Sequence, residues 1–78
     1  MFTAKATHEQ RIRVNKDEAC TLPAHTRAVR VYQGGAWLSH RGEDFLLAEG
    51  EMLHLRAATY SPVVTALGQR ILVLEIFT

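Results

Sequence analysis

Four histidines are the residues of this chain best suited to metal or acid–base chemistry, because neutral imidazole is the commonest protein ligand for zinc and similar ions. They are His8, His25, His40 and His54. No pair has the His-x-His or His-x-x-x-His spacing that brings two imidazoles to one ion. We therefore predict no cofactor and leave a divalent metal open, with His40 and His54 as the best pair and His25 as a third ligand.

Ser39, His40 and Asp44 have the residue types of a nucleophile, a base and an orienting acid. Neighbouring residues of a β-strand point to opposite faces, so Ser39 and His40 should diverge. We expect Asp44 to be a turn residue that accepts hydrogen bonds from nearby backbone N–H groups. No catalytic residue is assigned.

Three further features are interpreted as structural. Glu49 and Glu51, on either side of Gly50, are typical of a solvated turn rather than of paired acid–base carboxylates. Cys20 has no second cysteine and no obvious activating base, which favours a buried, inert thiol. We expect Trp37 to belong to the core rather than to the floor of a ligand pocket.

Length and composition predict one small globular domain, residues 1–78, with 1–10 as a candidate for a loosely ordered N-terminal segment. Hydrophobic residues make up 47% of the 78 and charged residues 22%, which is the balance of a folded protein. So small a core needs extra support, and the lone cysteine excludes an internal disulfide. A metal or a partner subunit remains as the source of that support.

The charge pattern argues against nucleic acid as a partner, and the lack of a long apolar segment argues against a membrane. Nine Lys and Arg nearly cancel eight Asp and Glu, and no basic block is present. The first thirteen residues lack the apolar segment of a signal peptide, and the longest aliphatic run, 71–74, is too short to span a bilayer. We expect a cytoplasmic protein.

Short apolar segments separated by turn residues at intervals of roughly ten predict an all-β domain, a small barrel or sandwich of short antiparallel strands. No helix of useful length is indicated. The predicted strands are 11–14, 19–22, 27–33, 36–40, 44–47, 51–56, 61–67 and 70–77.

The last predicted strand is apolar on both faces, unlike the others. Ile71, Val73 and Phe77 share one face, and Leu72, Leu74 and Ile76 share the other. Such a strand is either central to a sandwich or part of a subunit interface. All six residues are therefore interface candidates, and we expect a homodimer.

The segment 30–51 contains a motif of spaced residues: Gly35, Trp37, Gly42, Asp44, Leu47, Gly50 and Glu51. They form a pattern of a glycine before an aromatic-rich strand, a tryptophan, a polar turn with glycine, an aspartate and a Leu-x-x-Gly-Glu step. This pattern resembles that of a bacterial family, the domain of unknown function 2917 family. The resemblance extends over about residues 22–77 and includes Ala66 and Leu67, which look like the family's final strand.

The resemblance implies a cupin-like jelly-roll half-barrel or small barrel, and it implies no activity. Metal-binding cupins carry His-x-His in a first motif and a further histidine in a second, and this chain lacks His-x-His. In the second motif Ala48 stands in the place of proline and Leu53 in the place of histidine. His54 falls one position late, which in a strand is the opposite face.

We interpret the chain as a self-associating, non-catalytic binding or accessory module, with enzyme activity left open. One alternative is a metal-dependent cupin-type enzyme that uses His40 and His54, with Glu51 nearby. Another is a regulatory protein that binds a second polypeptide through a strand edge or through the apolar face of residues 70–77. The small-molecule ligand, if any, is not predicted.

Overall fold

The described part of the chain forms eight β-strands, and each overlaps one of the predicted segments, with bounds that differ by no more than two residues. A computed structural model describes residues 9–56 and 60–78, and these residues contain no helix. None of the described residues, accordingly, forms a helix that could cross a membrane. The strands are β1 Glu9–Val14, β2 Ala19–Thr21, β3 Ala28–Gln33, β4 Gly35–His40, β5 Glu43–Leu47, β6 Met52–His54, β7 Val63–Leu67 and β8 Leu72–Phe77.

The strands form two antiparallel sheets with the strand order of a jelly roll. Sheet I has the order β1-β8-β3-β6 and sheet II the order β2-β7-β4-β5. The first strand pairs with the last, the second with the seventh, the third with the sixth and the fourth with the fifth. This is a long antiparallel hairpin rolled into a sandwich, so the all-β prediction is confirmed and the sandwich is of the double-sheet type.

The core lies between the sheets and is built by strand alternation. Val29 and Val31 on β3 and Leu72, Leu74 and Ile76 on β8 are no more than 1% exposed. Opposite them, sheet II contributes the inward residues Ala36, Leu38, Leu47, Val64 and Ala66. Because side chains alternate across each strand, the outer faces of both sheets carry the intervening residues.

Gly34 lies where the chain crosses from sheet I to sheet II, between β3 and β4. Its φ is +90°, and a Cβ there would lie 3.0 Å from the carbonyl oxygen of Ile71. A register shift between Val31 and Gln33 precedes the crossing, and Gln33 Nε2 donates to the Ile71 carbonyl over 3.2 Å. Glycine is required here both for the left-handed backbone and for the close approach of β8.

A two-residue turn, Arg41-Gly42, joins β4 to β5, and both residues have positive φ, 56° and 82°. Two positive φ values are typical of the type I′ hairpin, whose twist matches that of the strands. The turn sets His40 directly across from Glu43.

The predicted loose segment 1–10 is described only at its end. Glu9 and Gln10 belong to β1 and pair with Phe77 and Ile76, so these two positions are ordered strand. The reason is that the apolar strand β8 offers its free side to β1 for backbone hydrogen bonds. Residues 1–8, including His8, lie outside the described part of the chain.

Candidate functional site

His40 is the buried histidine at the end of the core. Ala36, Leu38 and His40 alternate on the inward face of β4, and the His40 residue is 7% exposed. Among the described residues, no hydrogen bond joins its imidazole to another group. Every fully enclosed polar side-chain atom of the described residues has a hydrogen-bond partner. The ring nitrogens of His40 have none among these residues, so they are not fully enclosed and face open space.

That open space is a cavity of about 160 Å³, here called the His40 cavity. It lies between β6, an edge strand of sheet I, and the β4–β5 hairpin at the edge of sheet II. Its apolar lining consists of Phe45, Leu53 and Leu55, all half-buried against the core. None of these three residues was a candidate site residue from the sequence.

Charged groups surround the mouth of the His40 cavity. Arg41, Glu43 and Arg56 line it and are exposed. No ion pair joins Glu43 to either arginine in the part of the chain that the structure describes. The mouth therefore carries two cationic side chains and one anionic side chain.

His54 contacts the same cavity as His40 but belongs to a different face. Leu53 and Leu55 point inward from β6 and the segment after it, which places the His54 side chain on the outer face of sheet I, across from Ala28. Consistently, His54 also lines a second cavity of about 220 Å³ with Met52 and Phe77.

The third proposed metal ligand, His25, is exposed in the connection between β2 and β3 and lines neither cavity. Within residues 9–56 and 60–78, no group of three or more His, Cys, Asp or Glu side chains could hold a metal ion. A site made of His40, His54 and His25 stays a prediction.

Ser39 and Asp44 form a cross-strand pair on the outer face of sheet II. The Ser39 Oγ donates to Asp44 Oδ1 over 2.8 Å. The predicted turn role of Asp44 is wrong, because the turn is Arg41-Gly42 and Asp44 already lies in β5. His40 points to the opposite face from Ser39, so the three residues do not form a nucleophile, base and acid in series.

Glu49 and Glu51 stabilise the connection between β5 and β6. Glu49 Oε1 accepts hydrogen bonds from the Gly34 N–H and from Arg70 Nη1, both over 3.0 Å. Glu51 Oε1 accepts from the backbone N–H of Ala48 over 2.7 Å. The two carboxylates therefore bind different partners, which agrees with the interpretation of this segment as a structural turn.

Trp37 lies on the outer face of sheet II and is 45% exposed, so the prediction that it belongs to the core is wrong. The inward positions of β4 are taken by Ala36, Leu38 and His40, and alternation leaves Trp37 with Ser39 outside. Cys20 is half-buried against the core, rather than fully buried.

The outer face of sheet II holds four exposed apolar side chains on three neighbouring strands, here called the apolar patch: Trp37, Leu46, Val63 and Leu67. Trp37 is paired across the sheet with Leu46 on one side and Thr65 on the other. Leu46, on edge strand β5, is 71% exposed. The alternation of residues 44–47 could have predicted this exposure, because Leu46 must point to the face opposite Phe45 and Leu47.

The six interface candidates at the end of the chain divide between the core and the outer face of sheet I. Leu72, Leu74 and Ile76 are enclosed in the core of the single chain and are not available to a partner. Strand β8 is an interior strand of sheet I, paired with β1 and β3, which is the first of the two possibilities left open by the sequence. Ile71, Val73 and Phe77 lie on the other side and are half-buried.

The geometry defines the class of protein as a small jelly-roll sandwich with one apolar outer face and a small cavity between the sheets. No protein-family model matches the chain, and no curated protein matches it either. The resemblance to the domain of unknown function 2917 family therefore stays a prediction. Its motif residues Gly42 and Gly50 both have positive φ in turns, and Gly35 begins β4.

Proposed function

We propose that this protein is a self-associating, non-catalytic binding or accessory module in which two copies pack through the apolar patch. The observation that carries the proposal is the exposed set of Trp37, Leu46, Val63 and Leu67 on one sheet face. Aromatic residues are enriched and charged residues depleted at the centres of protein interfaces. The cytoplasm is the compartment we propose, since a lone thiol suits a reducing environment.

The charge on the two outer faces favours a second copy of this chain as the occupant. Asp44 is the one charged residue among the outward strand positions described for sheet II, and Ser39 donates a hydrogen bond to it. A two-fold interface brings each patch against its own copy, so an uncharged patch meets no like-charge repulsion. The outer face of sheet I carries Arg11, Arg13, Arg30 and Glu75, so a second copy packed there would have to desolvate several charged groups.

The size of the patch predicts a weak dimer. Four strands of about five residues cover a face of roughly 20 Å by 20 Å. A face of that extent on each copy amounts to roughly 800 Å² in total, below the roughly 1,200 Å² at which stable interfaces begin. We therefore expect weak association, with a dissociation constant of the order of tens of micromolar or higher. A 78-residue domain would gain stability from covering this surface.

Sedimentation equilibrium tests the proposal with one variant and one matched control. Leu46→Lys places a charge in the patch at a site 71% exposed in the monomer, so the fold should survive. Met52→Lys makes the same kind of change on the outer face of sheet I, where Met52 is 43% exposed. We expect dimers for the wild type and Met52→Lys, and at least about tenfold weaker association for Leu46→Lys.

A wild type that stays monomeric up to about 1 mM would overturn the proposal. Equal association by both variants would also contradict it, because the dimer would then use another surface. A monomer in all three samples is the outcome expected if the patch binds a different polypeptide.

A further inference from the structure

The His40 cavity combines a buried imidazole with solvent access to its nitrogens. His40 is 93% buried as a residue, yet none of the described groups hydrogen-bonds its ring. Buried polar side chains nearly always have a partner, so a ring of this kind is suited to bind a group that enters the cavity. His40 lines the cavity, and neither of its ring nitrogens is both fully enclosed and unpartnered, so we infer that a group in the cavity reaches the ring.

The walls and volume restrict what can enter. Phe45, Leu53 and Leu55 line the cavity with apolar surface and pack against the core. The cavity measures about 160 Å³. An apolar cavity of about 150 Å³ accommodates a benzene molecule, whereas drug-sized ligands occupy about 300 Å³ or more. A six-membered ring or a branched chain of similar size fits, and a nucleotide does not.

The charges at the mouth select an anionic head group. Arg41 and Arg56 both line the cavity, and neither forms an ion pair within residues 9–56 and 60–78. Guanidinium groups bind carboxylates through paired N–H donors. Glu43 offsets one of the two positive charges, so a single negative charge on the ligand balances the mouth.

We propose that the His40 cavity binds a small monocarboxylate with a compact apolar body. The body packs against Phe45 and the two leucines, the carboxylate accepts hydrogen bonds from Arg41 and Arg56, and His40 supplies one further hydrogen bond. The cavity suits a metal ion less well than a carboxylate, because a zinc site needs at least three protein ligands and the described residues contain no such group. The proposal does not depend on dimer formation through the apolar patch.

Benzoate is a suitable probe because it combines a six-membered ring with one carboxylate, and benzamide is its uncharged counterpart. Backbone amide shifts of the ¹⁵N-labelled protein are followed while each compound is added. We expect saturable shifts at residues 40–45 and 53–56 with benzoate, with a dissociation constant of the order of 1 mM. Benzamide should bind at least about tenfold more weakly.

Variants separate the head-group contacts from general charge effects. Arg56→Gln and Arg41→Asn each remove one cation, and asparagine tolerates the φ of +56° at position 41. Each should weaken benzoate at least about fivefold, because one charge-assisted contact is lost. Arg13→Gln removes the same charge from β1, does not line the cavity and should leave benzoate binding unchanged.

His40→Leu keeps the side-chain volume and removes the ring nitrogens, so its amide spectrum also reports whether the fold is intact. With a native-like spectrum, it should bind benzoate at least about fivefold more weakly. The proposal is overturned if benzoate causes no saturable shift up to about 20 mM, if benzamide binds equally well, or if Arg13→Gln weakens binding as much as Arg56→Gln. Shifts confined to Trp37 and Leu46 would likewise contradict it.

Discussion

Arg30 donates from its Nε to Oε1 of Glu75 over 2.6 Å on the outer face of sheet I. On the other side, Arg11 donates from its Nε to Oε2 of the same carboxylate over 3.1 Å. The Arg11 guanidinium also lies 4.1 Å from the centre of the Tyr32 ring. The Glu75 side chain is consequently 1% exposed although it lies on an outer face, whereas both arginines remain half-exposed.

Removing one arginine should show how far this cluster stabilises the fold. Arg30→Gln deprives a buried carboxylate of its closer cation, and we expect the free energy of unfolding to fall by about 2 kcal/mol. Arg13→Gln, on the exposed part of β1, should change it by less than about 0.5 kcal/mol. Urea unfolding at one fixed protein concentration measures both. Equal effects of the two substitutions would mean that the ion pair adds no net stability.

Gly34 should be the least replaceable glycine of the chain. Gly34→Ala strains a backbone with φ +90° and places a methyl group 3.0 Å from the Ile71 carbonyl oxygen. Gly68→Ala is the matched control, because its φ is +77° and a Cβ there meets nothing within 4 Å. We expect a loss of about 1 kcal/mol for the control and of about 3 kcal/mol for Gly34→Ala.

Thermal or urea unfolding of the two alanine variants distinguishes backbone strain from steric contact. If both lose the same stability, the close approach of β8 to Gly34 adds nothing to the requirement for glycine.

Metal content decides between the binding module and the metal-dependent enzyme. We expect less than about 0.1 equivalent of any transition metal in protein purified without an affinity tag or chelator, because no three-ligand group exists among the described residues. Plasma mass spectrometry gives the amount, with His40→Ala and His54→Ala analysed in parallel. Nearly one equivalent in the wild type that is lost in both variants would establish the metal site instead.

The strands could be predicted from the sequence because their signals are local. Alternation and turn glycines mark all eight segments, and Gly34, Gly42, Gly50 and Gly68 have the positive φ that such turns demand. The order of strands in the sheets could not be derived, since β1 pairs with β8 across nearly the whole chain. Pairings of that kind depend on the packing of both sheets together.

The polar features were only partly predictable. Glu75 is the one charged residue in the otherwise apolar strand β8, and nothing in the sequence around it indicates a partner for its carboxylate. Its partners lie on the two strands that flank β8, so they could be named only once the sheet order was known. The assignment of Trp37 to the core failed for a related reason. A strand pattern gives two faces without stating which one is inside, and β4 turns Ala36, Leu38 and His40 inward and leaves Trp37 outside.

Fluorescence of Trp37 should report directly on the apolar patch, because it is the single tryptophan of the chain and is 45% exposed in one copy. Packing of a second copy over Trp37 transfers the indole from water to an apolar contact. We expect the emission maximum to move to shorter wavelength by roughly 5 to 10 nm as the protein concentration rises through the dissociation constant. Leu46→Lys should keep the long-wavelength emission at every concentration, while Met52→Lys follows the wild type. A dimer found by sedimentation whose emission does not shift would place the interface on a surface other than the apolar patch.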